Sequence, residues 1–140
     1  MTYHTGDIII ARVNSSPFIN HMGIIVMENG IPYIWHNTPK NHNTQGGSIM
    51  KHPLQEWEKT RTIATVTPST LTREQIETRV APLMERHFNW ITFNCEHFVY
   101  QVWTGHPKSP QLTFWTFAIL TVTTSAFLMI RNNRRHKNPA

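Results

Sequence analysis

The run TFNCEHFVYQ at 92–101 holds the only cysteine of the chain, Cys95. A lone thiol has three readings: a small buried hydrophobe, a metal ligand or a nucleophile. One cysteine excludes an internal disulfide and is too few for a cysteine-based zinc site. Asn94 is a good helix N-cap, which puts Cys95 in the first turn of a helix. The unpaired N–H groups and the dipole there favour negative charge, so the expectation is a lowered thiol pKa. The same N–H groups are suited to hold the oxyanion of a tetrahedral intermediate.

A nucleophile needs a base, and the base needs a group to orient it. His21 opens the apolar run HMGIIVM at 21–27, and His36 ends IPYIWHN at 31–37. If these runs pair as a hairpin, the start of one lies opposite the end of the other, and the two imidazoles come close. Cys95 is then the candidate nucleophile, His21 the candidate base and His36 the candidate orienting residue. Glu96 and His97 adjoin the thiol but point away from it on a helix. Asp7 reads as a residue that fixes the turn into the first strand. His4, His42, His52, His87, His106 and His136 lack metal-ligand spacing, and nothing calls for a cofactor or a metal. Trp57, Trp90 and Trp103 read as core or interface aromatics.

The sequence NCEHFV at 94–99, with GD at 6–7, HMGIIV at 21–26 and HNTP at 36–39, resembles the lecithin:retinol acyltransferase family. That family includes the HRAS-like suppressor phospholipase/acyltransferases, and the resemblance spans roughly residues 5–111. It implies an antiparallel sheet packed on helices, in a circularly permuted papain-like arrangement. It also implies the roles already suggested for Cys95, His21 and His36, and a C-terminal hydrophobic anchor. The implied reaction attacks a phospholipid acyl ester, leaves an acyl-thioester on Cys95 and passes the acyl group to water, an amine or an alcohol. Two alternatives stay open: an NlpC-type cysteine peptidase or amidase using the same three residues, and a non-catalytic membrane tether.

The elements that must position these residues are legible in outline. GDIIIARV at 6–13, 21–27, 31–37, GGSIMKH at 46–52 and RTIATVTP at 61–68 read as five strands, and ENG at 28–30 as a hairpin turn. Short connections favour an antiparallel sheet. The period then becomes helical at Ile76, Val80 and Leu83, with Thr72 and Gln75 as a capping box and Pro82 shortening the helix. A second helix runs from Asn94 to a stop at Gly105. Strands followed by helices make the fold class α+β.

Hydrophobic residues are 39% of the chain and charged ones 15%, enough for one packed domain over 1–111. The formal charge of +5 is uneven. The body to residue 111 is nearly neutral, and Arg131, Arg134, Arg135 and Lys137 crowd a tail at 131–140. A nucleic-acid site needs its charge on the folded body, so no nucleic-acid partner is expected. Residues 112–130, LTFWTFAILTVTTSAFLMI, carry no charge and would extend roughly 28 Å as a helix, about the thickness of a bilayer core. They read as a membrane-anchoring helix, with Pro107 and Pro110 setting it off from the domain. The N-terminus lacks the pattern of a signal peptide, which points to a cytoplasmic catalytic domain. The basic tail favours the same side, which a simple single span cannot satisfy, so its topology stays open.

Overall fold

The computed structural model describes residues 2–39 and 47–137, apart from the side chains of Pro17 and 134–137. His42 and the loop expected before the fourth strand lie outside the described residues. The chain divides at Ser109/Pro110 into two compact units.

The first unit is α+β, as its sequence pattern implies. Five strands, β1 (Ile8–Val13), β2 (Ser16–Glu28), β3 (Ile31–Thr38), β4 (Ser48–Pro53) and β5 (Arg61–Thr67), form one antiparallel sheet. Their order is β4-β3-β2-β1-β5. The β2–β3 hairpin closes through Asn29 and Gly30, both at positive φ, as a twisted two-residue turn requires. Between β4 and β5 lies a short helix, α1 (Leu54–Glu58), which the sequence pattern did not reveal. Helix α2 (Arg73–Val80) begins at the Thr72–Gln75 capping box and passes at Val80 into a 3-10 turn containing Pro82. Helix α3 (Cys95–Thr104) is capped by Asn94 and stopped by Gly105 in the left-handed conformation.

Strand alternation divides the interior into two layers. One face carries Ile8, Met22, Ile24 and Val26, packed with Ile76 and Val80 of α2 and Phe98, Val99 and Val102 of α3. The other carries Ile9, Ala11, Ile25 and Ile34, covered by Leu54 and Trp57 of α1.

The second unit is a helix, α4 (Pro110–Lys137). Its stretch Pro110–Asn133 is long and apolar enough to cross a membrane. Pro110 opens this helix rather than preceding it, since its missing N–H costs nothing at the first turn. The threonines also fit an apolar setting. The hydroxyls of Thr116, Thr121 and Thr123 donate to the carbonyls of Leu112, Phe117 and Ile119, at 2.8, 2.8 and 2.9 Å. Each of these three hydroxyls is satisfied within the helix.

Candidate active site

The β2–β3 ladder runs from Glu28–Ile31 to Ile24–Trp35 and stops there, while β3 continues to pair with β4 as far as Thr38. Beyond that point side chains bridge the two strands. His21 Nε2 and His36 Nδ1 are 3.0 Å apart, and both rings are buried. They lie on the α1 face, at 5.8 and 6.1 Å from the Trp57 ring. Ala11 pairs with His21 across the ladder, and its small side chain leaves room for the imidazole. Hairpin pairing therefore does bring the two histidines together, through their rings rather than through a continuous ladder.

The network extends one ring further than the sequence suggested. His36 Nε2 is 2.9 Å from Nδ1 of His52, on β4. In the β3–β4 register His52 pairs with Ile34, so it shares the face of His36, two residues along.

Cys95 comes to the same place from the other layer. Its helix packs on the α2 side of the sheet, and its sulfur reaches β2 just past the end of the β2–β3 ladder. Sγ lies 3.9 Å from the Asn20 carbonyl oxygen, and the Met22 N–H acts to lower its pKa. These are the backbone groups on either side of His21. Among the described residues no hydrogen bond joins Sγ to the His21 ring, so the thiol rests against the strand that carries the imidazole.

Buried polar groups hold the start of α3 in position. The Asn94 side-chain oxygen accepts from the N–H groups of Glu96 and His97, at 3.0 and 3.1 Å. His97 Nδ1 accepts from the Asn94 N–H in return, so His97 is a capping residue. Asn37, fully buried beside His36, donates to the Phe93 carbonyl at 2.7 Å and ties this turn to β3. Ser109 accepts from Asn94 Nδ2 at 3.1 Å and donates to the buried Glu96 carboxylate.

The electrostatics correct one expectation. Backbone N–H groups of Met22, Glu96 and Cys95 itself do pull the thiol pKa down, but burial outweighs them and the Glu96 carboxylate opposes them. The result is a thiol pushed up to about 11. Burial also lowers His21 to about 3 and His36 to about 2. The half-buried Arg61 guanidinium, which stacks 4.8 Å from the Trp57 ring centre, adds to both shifts. The resting site is thus a neutral thiol beside neutral imidazoles, not a thiolate–imidazolium pair. Nucleophilic chemistry at such a thiol would call for general-base catalysis, with the proton leaving sulfur as it attacks.

Among the described residues, no three His, Cys, Asp or Glu side chains are grouped to hold a metal ion. No family model and no curated protein matches this chain.

Sequence reasoning singled out Cys95, His21 and His36 and passed over His52, Asn37 and Arg61. Only Asn37, adjoining His36 in the quoted HNTP segment, carried any sequence signal.

Proposed function

We propose that the chain is a membrane-anchored, cysteine-dependent acyltransferase or phospholipase A-type hydrolase of the lecithin:retinol acyltransferase kind. It acts on phospholipid acyl esters through an acyl-thioester on Cys95. The observation that carries this reading is the seating of Cys95 Sγ on the backbone flanking His21, whose ring is bonded to His36. In this reading the thiol proton passes to the His21 imidazole, and His21 then protonates the leaving alcohol. The chain order, His before Cys, is the order that a permuted papain-like arrangement requires.

Two features favour a lipid ester over a peptide. One is the apolar α4 span, which would hold the domain at a bilayer on its cytoplasmic side and raise the local substrate concentration. The other is exposed apolar surface close in sequence to the thiol or to Asn20, whose carbonyl it meets. Phe18 (76% exposed) lies two residues before Asn20, while Trp90 (58%) and Ile91 (68%) lie in the turn before Asn94. The Trp90 carbonyl accepts from Asn94 Nδ2 at 3.1 Å.

The test is to incubate the full chain with a phospholipid radiolabelled in its acyl chains, quench in acid and look for label on protein. Hydroxylamine-sensitive label on wild type and none on Cys95→Ala supports the proposal; none on either refutes it. A second reading, a non-catalytic membrane tether, draws on the burial that disfavours the thiolate. It is the outcome left standing if neither lipid nor peptide acyl groups reach Cys95.

A further inference from the structure

His21, His36 and His52 form a continuous chain of ring nitrogens, joined by contacts of 3.0 and 2.9 Å. Each contact needs one proton between its two nitrogens, and each neutral ring supplies one N–H. These conditions leave two arrangements. If His36 carries its proton on Nε2, it donates to His52 Nδ1 and accepts from His21 Nε2, so all three rings are protonated on Nε2. If His36 carries it on Nδ1, all three are protonated on Nδ1. Mixed arrangements place two protons, or none, between a pair of nitrogens. The chain is therefore a two-state element, and the states differ at His21. In the first, His21 Nδ1 is a bare lone pair that can act as a base. In the second it carries a proton and can act as an acid.

We propose that His52 is the outer end of a three-imidazole relay, a positioning residue that sets which of these states His21 occupies. The inference rests on the general-base reading of Cys95 given above. The Sγ–H bond breaks and its proton joins His21 Nδ1. The Nε2 proton of His21 passes to His36 Nδ1, that of His36 to His52 Nδ1, and the Nε2 proton of His52 to a water molecule. With the carbon–sulfur bond forming as the proton leaves, the products are a sulfur-bound tetrahedral oxyanion, a hydronium ion and three neutral rings in the opposite tautomer. The forward sequence thus leaves His21 with the Nδ1 proton that the leaving group takes, and the reverse sequence returns His21 to its base form. Burial explains why a relay is needed: the two inner rings resist holding a full charge, whereas His52 is only half-buried.

The test uses the full chain in phospholipid nanodiscs with 15N-labelled histidine. Ring-nitrogen shifts should show His21 and His36 each in one tautomer. In His52→Phe, which keeps an aromatic ring but no relay nitrogen, the His36 tautomer should become mixed. Acyl-enzyme formation should slow about tenfold or more, the scale of lost proton-transfer help, with KM unchanged. His52→Gln, whose amide can accept from His36 Nε2, should recover the single tautomer and part of the rate. A folded His52→Phe variant with unchanged His36 shifts overturns the relay. So does a His52→Gln variant less active than His52→Phe, because that order marks a packing role. The tautomer readout does not depend on turnover. Coupled shifts in a protein that never acylates would sink the proposed function and leave the relay standing.

Discussion

His21 Nε2 lies 3.0 Å from His36 Nδ1, although fifteen residues separate them in the chain. The contact forms where the β2–β3 ladder has already stopped, so rings rather than backbone join the strands there. Folding must then shield two basic groups from water, and that has a measurable consequence.

Stability should fall in acid. The unfolded chain takes up protons on these histidines near their ordinary pKa of 6.5, whereas the folded chain holds His21 to about 3 and His36 to about 2. Between those limits the unfolded state binds more protons, so the stability present above pH 6.5 is lost as pH drops toward 3. Each group contributes a slope of up to about 1.4 kcal/mol per pH unit. Denaturant melts at pH 7 and pH 5 should differ clearly, and less so in His21→Gln. Equal stabilities at the two pH values would contradict burial of the pair.

Cys95 should alkylate slowly. With its thiol pushed up to about 11, the thiolate is scarce at pH 8, and iodoacetamide should label it more slowly than a free thiol. The rate should climb with pH toward 11, and Glu96→Gln should raise it by removing a neighbouring negative charge. Intact-mass time courses read this directly. Labelling at pH 7 faster than free cysteine would restore the lowered pKa expected from the helix start.

Gly23→Ala should loosen the hairpin. An added Cβ would stand 2.5 Å from the Ile34 side chain and 2.9 Å from the Trp35 carbonyl oxygen. Strain of this kind costs about 1–3 kcal/mol. Thermal melting should fall by several degrees, and activity should drop with it, because Gly23 lies between His21 and the part of β2 that pairs with β3.

Replacing Phe18, Trp90 and Ile91 together by serine should leave stability within about 0.5 kcal/mol per site, since these side chains are exposed. Acyl transfer from vesicles should fall while cleavage of a short-chain soluble ester persists. Equal loss on both substrates would remove the membrane role assigned to this surface.

Deleting residues 112–140 should move the protein from the membrane to the soluble fraction and sharply reduce activity on vesicle lipid. Activity on a soluble peptide amide that survives the deletion would instead favour an amidase.

The parts of this molecule that announce themselves in sequence are those governed by local rules. Thr72, Asn94, Gly105 and the Asn29–Gly30 turn each solve a problem set by residues within a few positions of them. His21 and His36 were legible because a hairpin is itself local. His52 was not, because only the β3–β4 register brings it beside His36, across a loop whose length hides that register. Helix α1 was missed because five residues are too few to show a period, and Trp57 therefore gave no sign of covering the histidines. The first residues of β2, Ser16 to Asn20, were missed because polar residues and a proline weaken any strand pattern there. The thiol pKa was misjudged because burial is a tertiary quantity, and it overrode the helix-end effect that the sequence does show.

The sulfur of Cys95 faces peptide groups, with the Asn20 carbonyl 3.9 Å away and the Met22 N–H lowering its pKa. Peptide groups are the same whatever residues carry them, so the contact to the thiol does not itself depend on the side chains at positions 20 and 22. What cannot drift is spacing. One residue gained or lost between Asn20 and Ile24 would turn His21 to the α3 side of the sheet and break its bond to His36. The only irregularity in the β1–β2 pairing falls at Arg12/Val13, before this stretch begins. Insertions and deletions, more than substitutions, are the changes this stretch of β2 should refuse.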